Sequence, residues 1–367
     1  MDGKQNPSFP SVAFLWPALA AETASEFASA VAKEFATLAV GPATEPDGPE
    51  PEWTTRHDVA LELESVRLRD FSAAPDGIAT LICAPYALHG STIADFAVGH
   101  SLVASLREAG PKRIFVTDWR SAGPDMRFFS IDTYLADLNV LVDELGGKVD
   151  LIGLCQGGWL SLIYAARFPA KVRKLVLAGA PIDNGAGASG LSQVARDTPI
   201  SIFKELIDVG QGRILGQHVL RFWALAEFNR EAIHGLLQAS DSIDSPAFER
   251  LEMRFRDWYA WTVDLPGTYY LQVVEQLFKE NRLATGRFVA LGRQVNLSTV
   301  RCPLFLLAAS DDELVAPEQI FATERLVGTR VNAIRRTIAP GGHLGLFMGR
   351  AILSDIWPDI ARWLVRD

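Results

Sequence analysis

Three residue types that support nucleophilic catalysis follow one another along the chain: a cysteine, an aspartate and a histidine. Cys155 lies in the stretch LIGLCQGGW, where an apolar run gives way to an amphipathic pattern, and Gly153 and Gly157 flank it two positions away on either side. Glycines at these positions permit a sharp turn from a strand into a helix that exposes the central side chain. The pattern therefore predicts a nucleophile at Cys155 rather than a cysteine packed in the core.

The acid and the base are expected later in the chain, each on a loop after a strand. FLLAASDDELVAP places Asp311 and Asp312 after an apolar strand, and IAPGGHLGLF places His343 after the next one. His343 would take the proton of the Cys155 thiol, and the acid would orient the imidazole. Asp312 is preferred as the acid, although spacing alone hardly separates it from Asp311. We predict a Cys155–Asp312–His343 triad that performs acyl transfer.

Backbone N–H groups must stabilise the oxyanion that forms in acyl transfer. One is expected at Gln156, which follows the nucleophile at the start of the helix, and a second at Ala87 in the loop CAPYALHGST after an early strand. His89 in that loop is interpreted as a loop residue, because the triad already supplies a base. The turn itself is expected to depend on three glycines: Gly153, Gly157 and Gly158.

Short apolar strands alternate with helical patterns around these motifs, which indicates an α/β fold with a mostly parallel central sheet and helices on both faces. Between residues 181 and 283 the strand signal lapses and aromatic-rich helical patterns take over. We predict a core formed by residues 54–180 and 284–367 with a helical cap inserted at 181–283. The cap supplies Trp223, Trp258, Tyr259, Trp261, Tyr269 and Tyr270, which either line an apolar channel or form the cap's own core.

The N-terminal part is expected to be an appendage. Apolar residues recur at helical intervals over residues 1–40 and predict an amphipathic helix, while the proline-rich, acidic stretch 41–53 predicts an extended linker. The helix either packs on the domain or docks onto a partner or lipid surface. We expect no transmembrane segment, because no apolar run is long enough to cross a bilayer.

The composition of the chain bears on which partners and cofactors to expect. A net charge of −9 over 367 residues argues against a nucleic-acid partner. The three cysteines lack zinc-ligand spacing, so no metal is expected, and their low number predicts a reduced, cytoplasmic setting. Cys83 and Cys302 are interpreted as core cysteines. No redox cofactor is indicated.

The motifs resemble those of the polyhydroxyalkanoate synthases, an α/β-hydrolase family, and most of all the short catalytic subunits of its two-subunit class. The resemblance runs from about residue 78 to 364 and rests on GLCQGG, on IFVTDW, on the segment from DLPGTYYLQ to ASDDELVAP, and on GGHLGLFMG. The motifs GAPID, YYLQVVEQLF and GHLGLFMG are also similar to those of intracellular polyhydroxyalkanoate depolymerases. The chain departs from the synthase pattern at Glu313, where a histidine is usual, and at Trp159, where a small polar residue is common.

The resemblance implies that Cys155 carries the acyl group, with Asp312 as the acid and His343 as the base. It implies 3-hydroxyacyl-coenzyme A as the substrate, a growing polyester as the acceptor, and a polyester granule surface, a partner subunit or a second copy of the chain as partners. Two alternatives stay open: a thiol hydrolase of the same fold that acts on polyester or acyl thioesters, and a non-catalytic granule-associated protein.

Overall fold

The computed structural model describes residues 49–222 and 228–366. The predicted helix over 1–40 and most of the predicted linker over 41–53 lie outside the described residues. Trp53, which ends that linker, packs against the rings of His57 and Phe71, with centroid distances of 5.7 and 5.4 Å. The end of the linker is therefore attached to the domain.

A sheet of eight strands forms the centre of the fold, with spatial order β1-β2-β4-β3-β5-β6-β7-β8. The β1–β2 and β2–β4 pairs are antiparallel, and all other neighbours are parallel. The predicted mostly parallel sheet is confirmed. In chain order the strands are β1 (Asp58–Glu62), β2 (Val66–Asp70), β3 (Ala79–Cys83), β4 (Ile114–Trp119), β5 (Val149–Leu154), β6 (Val172–Ala178), β7 (Leu304–Ala309) and β8 (Ile334–Ala339).

Helices cover the sheet and fill the predicted cap region between β6 and β7. The core strands β3, β4, β5 and β7 are buried at every position, so each must be covered on both faces. The helices are α1 (Leu102–Ala109), α2 (Ile131–Glu144), α3 (Gln156–Arg167), α4 (Gly190–Asp197), α5 (Ile200–Val209), α6 (Gly216–Phe222), α7 (Arg230–Leu237), α8 (Pro246–Ala260), α9 (Gly267–Gln272), α10 (Pro317–Phe321), α11 (Thr323–Leu326), α12 (Gly345–Met348), α13 (Arg350–Asp355) and α14 (Trp357–Val365).

One local feature differs from the sequence interpretation: the β1–β2 hairpin was not predicted. A π-helical turn at Val273–Lys279 continues α9. Pairs of very short strands lie between β3 and α1, within the predicted cap region, and just after it. None of the helices within the described ranges is long and apolar enough to cross a membrane.

The parallel strands place the predicted chemistry at one edge of the sheet. Strands β3, β5, β6, β7 and β8 are mutually parallel, so their carboxyl ends meet at the same edge. The loops that follow β3, β5, β7 and β8 carry the predicted oxyanion donor, nucleophile, acid and base in turn. This edge is also where ligands bind in open α/β sheets.

Candidate active site

Cys155 occupies a strained turn between β5 and α3. Its backbone has φ 48° and ψ −118°, a combination that a non-glycine residue adopts at a cost of about 1–3 kcal/mol. The turn is held in place because the Cys155 N–H donates to the carbonyl of Ala178 at 2.8 Å, and the Gly158 N–H donates to the Cys155 carbonyl at 2.9 Å. Its side chain is half-buried at the start of α3.

The three glycines around Cys155 are required by close backbone approach. A Cβ at Gly153 would lie 2.5 Å from the Cα of Gly158, and a Cβ at Gly157 would lie 2.1 Å from the carbonyl oxygen of Cys83. A Cβ at Gly158 would lie 2.3 Å from the Cβ of Ala180. Strand β5, helix α3 and the end of β3 therefore touch at distances that only glycine allows.

The structure places Asp312, and not Asp311, against His343. The imidazole Nδ1–H donates to Asp312 Oδ2 at 2.7 Å. The other carboxylate oxygen, Oδ1, accepts hydrogen bonds from the backbone N–H groups of Leu314 and Val315 at 3.0 and 2.8 Å. The Asp312 side chain is fully buried, whereas Asp311 is exposed. This contact and the burial of Asp312 favour Asp312 over Asp311 as the acid.

His343 lies between the acid and the nucleophile. Burial acts to lower the pKa of His343, but the Asp312 carboxylate and the Cys155 thiolate outweigh burial and hold that pKa well above its ordinary value. Its Nε2 atom is buried and is not used in the bond to Asp312, and hydrogen bonds with Asp312 and with the Cys155 side chain also act to raise the pKa of His343. The imidazole also packs edge-on against Phe347, with ring centroids 5.4 Å apart. This arrangement favours a protonated imidazole beside Cys155.

The loop after β3 lies beside the Cys155 turn. Cys83, the last residue of β3, is paired with Gly153 of β5, so residues 84–90, which we call the oxyanion loop, continue next to the start of α3. Ala87 is half-buried in this loop. The N–H of Gln156, the first residue of α3, has no acceptor within the helix. Both predicted oxyanion donors are therefore on segments that meet at the same edge.

His89 is not placed as a base. Its ring packs between those of Trp258 and Tyr259 in α8, with centroid distances of 4.6 and 4.8 Å. Burial lowers the pKa of His89 to about 4, so the ring is neutral near pH 7. Burial also raises the pKa of Cys83 to about 12 and that of Cys302 to about 11, so neither thiol is activated.

The aromatic residues of the cap fall into different environments. Trp258 and Tyr269 are buried, whereas Tyr259, Trp261 and Tyr270 are half-buried. Trp223 lies outside the described residues. Within residues 49–222 and 228–366, no group of three or more His, Cys, Asp or Glu side chains is arranged to hold a metal ion.

One glycine of the site was missed from the sequence. Gly179 follows β6 with φ 55°, and a Cβ there would lie 3.0 Å from Cε1 of His343. It leaves room for the imidazole beside the Cys155 turn. The signal was available, because a glycine directly after a buried parallel strand often marks a positive-φ position next to a site.

Comparison with known proteins agrees with the motifs. A family model described as PHB de-polymerase C-terminus matches residues 229–367. The poly(3-hydroxyalkanoate) polymerase subunit PhaC of Synechocystis is 28% identical over 284 residues, which cover 74% of this chain and 73% of that protein. The subunit of the same name from Allochromatium vinosum is 26% identical, with 68% and 71% covered. The resemblance to polyhydroxyalkanoate synthases and depolymerases is confirmed.

Solved structures show the same fold. The monoacylglycerol lipase of Paleococcus ferrophilus superimposes with a TM-score of 0.53 at 15% identity, covering 82% of this chain and 98% of the lipase. A thermophilic esterase from Thermogutta terrifontis superimposes with a TM-score of 0.50 at 15% identity, covering 85% of this chain and 100% of the esterase. At this identity the likeness shows the fold alone, and the predicted α/β-hydrolase fold is confirmed.

Proposed function

We propose that this chain, a relative of poly(3-hydroxyalkanoate) polymerases, is a cysteine-dependent acyltransferase that joins 3-hydroxyacyl groups from coenzyme A thioesters into a polyester. The observation that carries the proposal is the position of His343. Its Nδ1–H is bonded to the buried Asp312 carboxylate, while the Cys155 thiolate raises its pKa. That arrangement supplies a nucleophile, a base and an orienting acid in the roles that acyl transfer requires.

In the first half-reaction the Cys155 thiolate attacks the carbonyl carbon of the hydroxyacyl thioester. The negative charge that develops on the carbonyl oxygen is stabilised by the N–H groups of Gln156 and Ala87. The bond between carbonyl carbon and coenzyme A sulfur then breaks, and the His343 imidazolium gives its proton to the departing thiolate. Free coenzyme A leaves, and the acyl group remains on Cys155 as a thioester.

In the second half-reaction the hydroxyl of an acceptor chain attacks that thioester. His343, now neutral, takes the hydroxyl proton as the new ester bond forms, and the Cys155 thiolate is released beside the imidazolium. Asp312 keeps the imidazole oriented through both steps, because its second oxygen is fixed by the Leu314 and Val315 N–H groups. The enzyme returns to its starting state and the polyester is one unit longer.

A hydrolase is the second candidate, and the family model described as PHB de-polymerase C-terminus favours it. Both candidates share the acyl-enzyme and differ in whether water or a hydroxyl-terminated chain reaches it. Under the polymerase proposal, the remaining expected partners are a second subunit or a second copy of the chain, and the surface of the polyester product.

The decisive experiment supplies the purified chain with 3-hydroxybutyryl-coenzyme A and a hydroxyl-terminated oligoester. Released thiol, sedimentable polymer and free 3-hydroxybutyrate are measured in parallel. Thiol release with polymer supports the polymerase, and thiol release with equal free acid supports the hydrolase. Free 3-hydroxybutyrate without thiol release shows hydrolysis of the oligoester and also supports the hydrolase. Neither thiol nor free acid above the background of Cys155→Ala contradicts both activities and favours the non-catalytic alternative. Mass spectrometry should detect the acyl group on Cys155, and Cys155→Ser should remain folded while losing at least about 10³-fold in rate.

A further inference from the structure

The cap holds the oxyanion loop through polar contacts as well as packing. The Val263 N–H donates to the carbonyl of Leu88 at 2.9 Å. The Tyr86 hydroxyl is 3.3 Å from the carbonyl oxygen of Asp264 and 3.1 Å from that of Arg120. The loop that carries a proposed oxyanion donor is therefore fixed partly by residues of the segment that precedes α9.

A further contact reaches the peptide bond that contains the donor itself. The Tyr269 hydroxyl, on α9, donates to the carbonyl oxygen of Tyr86 at 3.3 Å. That carbonyl and the Ala87 N–H belong to one peptide unit, which is trans because the described chain contains no cis peptide. In a trans peptide the C=O and N–H point in opposite directions. A hydrogen bond that fixes the carbonyl therefore also fixes the direction of the Ala87 N–H.

The surroundings of Tyr269 suit a permanent donor. Its ring is buried and packs against those of Tyr86, Tyr134 and Trp159, with centroids 5.3, 4.9 and 6.3 Å away. Burial raises the pKa of Tyr269 well above its ordinary value, and the charges that Tyr86, Cys83 and Cys155 would carry raise it further. The hydroxyl therefore keeps its proton.

We propose that Tyr269 is a positioning residue that orients the Tyr86–Ala87 peptide so that the Ala87 N–H faces the oxyanion. The proposal rests on the proposed function, since the role of Ala87 is part of it. A hydrogen bond to a carbonyl also strengthens the N–H of the same peptide by polarisation. Tyr269 thus connects the cap to the stabilisation of the transition state without touching the substrate.

The test is Tyr269→Phe, which deletes one oxygen and keeps the ring. Losing an oxyanion donor outright costs about 10²–10³-fold in kcat, so a misdirected donor should cost about 10-fold or more, with KM changed less than about twofold. Acylation is measured with p-nitrophenyl butyrate and with 3-hydroxybutyryl-coenzyme A. Alkylation of Cys155 by iodoacetamide needs the thiolate but forms no oxyanion, so its rate should stay within about twofold of the unsubstituted chain.

The matched control is Tyr164→Phe. Tyr164 is also buried, and its hydroxyl donates to Asn139 Oδ1 of α2 at 3.2 Å rather than to the oxyanion loop. It should leave both acylation and alkylation unchanged. A spectroscopic readout supports the kinetics: the infrared stretch of the carbonyl in the acyl-enzyme should move to higher frequency in Tyr269→Phe, because the carbonyl oxygen accepts weaker hydrogen bonds.

Three outcomes overturn the proposal: acylation by Tyr269→Phe at the unsubstituted rate, equal losses of acylation and alkylation, or an unchanged carbonyl frequency. The failure of the proposed function looks different. An unsubstituted chain that is acylated by p-nitrophenyl butyrate and not by the coenzyme A thioester contradicts the polymerase while leaving the Tyr269 test intact. A chain inert to both donors contradicts both proposals.

Discussion

The Cys155 turn and the oxyanion loop meet at one edge of the sheet, yet the molecule holds them by different means. The turn is fixed inside the core, by glycines at van der Waals distance from backbone and by the bond from the Cys155 N–H to Ala178. The oxyanion loop is held by the core at its start, where the Ala84 N–H donates to Thr117 and the Trp119 indole N–H donates to the Ala84 carbonyl. Further along, it is also held by Val263 and Tyr269 of the cap region.

The triad and the second oxyanion donor therefore depend on different parts of the molecule. The nucleophile, acid and base each follow a strand of the core, and the cap region contacts the acid's segment through the Gly190 N–H, which donates to the Glu313 carbonyl. We expect their geometry to depend less on the cap than that of the oxyanion loop. The proposed second oxyanion donor depends on contacts with the cap. A change in the cap should therefore alter the rate of acyl transfer while leaving the reactivity of the thiol intact, and a change in the core should alter both.

The largest effect is expected from the core side of the comparison, at Asp312. Asp312→Asn keeps the shape but removes the charge that holds the His343 tautomer and orientation, so kcat should fall by about 10²–10⁴-fold. Both acylation and iodoacetamide alkylation should slow, because the thiolate itself loses support. Asp311→Asn is the matched control, since Asp311 is exposed and one position away. Comparable losses in the two variants would contradict the assignment of the acid.

Close packing around the Cys155 turn predicts that Gly157→Ala destabilises the fold, with a smaller effect than that of Asp312→Asn. In Gly157→Ala the new methyl would lie 2.1 Å from the Cys83 carbonyl oxygen, so α3 must move away from β3. Overpacking of this kind lowers the free energy of unfolding by about 1–3 kcal/mol. Thermal unfolding and the alkylation rate of Cys155 measure the two consequences. Gly123→Ala is the control, because a Cβ there meets nothing within 4 Å and φ is −75°. A Gly157→Ala chain as stable as that control would contradict the argument.

How far the sequence predicted this site depends on the range of the interactions involved. Cys155 and His343 were accessible because local glycine spacing and strand ends determine where they lie. Asp311 and Asp312 could not be separated, because the decision lies in which carboxylate accepts the Leu314 and Val315 N–H groups and is buried against the imidazole. The contact from Tyr269 to Tyr86 joins residues 183 positions apart, and no local pattern carries it.

The β1–β2 hairpin shows the opposite case, a signal that was present but not used. In DVALELESVRLRD the apolar residues alternate with polar ones, which is the period of a strand with one covered face. β1 lies at the sheet edge and is mostly exposed, so it lacks the continuous apolar run that identified the central strands. The parallel strands were predicted because both of their faces are covered.

The oxyanion loop should respond to acid through His89. Because burial lowers the pKa of His89 to about 4 from its ordinary value of 6.5, the unfolded chain binds the proton more tightly. This residue therefore makes the folded state more stable as pH rises from about 4 to 6.5. His89→Phe keeps a ring against Trp258 and Tyr259 and removes the titration. The difference in unfolding free energy between His89→Phe and the unsubstituted chain should favour His89→Phe by on the order of 1–2 kcal/mol more at pH 5 than at pH 7. Urea unfolding at the two pH values measures this difference, and an equal advantage at both would contradict the prediction.

The loop after β7, which carries Asp311, Asp312 and Glu313, should show the reverse pH dependence of stability. The effect acts through Glu313 and should be weaker than that of His89. Burial and the neighbouring Asp312 and Asp311 raise the pKa of Glu313 to about 7 from its ordinary value of 4.5. The folded chain therefore binds the proton more tightly, and the stability that this residue contributes is present below about pH 4.5 and is lost as pH rises through 7. Glu313 is half-buried, so solvent screening reduces the effect to less than that of His89. Glu313→Gln should flatten the curve of unfolding free energy against pH between about pH 4.5 and 7. Asp311→Asn, which removes only one neighbouring charge, should flatten that curve to a small extent. An unchanged slope of unfolding free energy against pH in Glu313→Gln would contradict this prediction. The loop after β7 would then not differ from the oxyanion loop in the way that burial and neighbouring charges require.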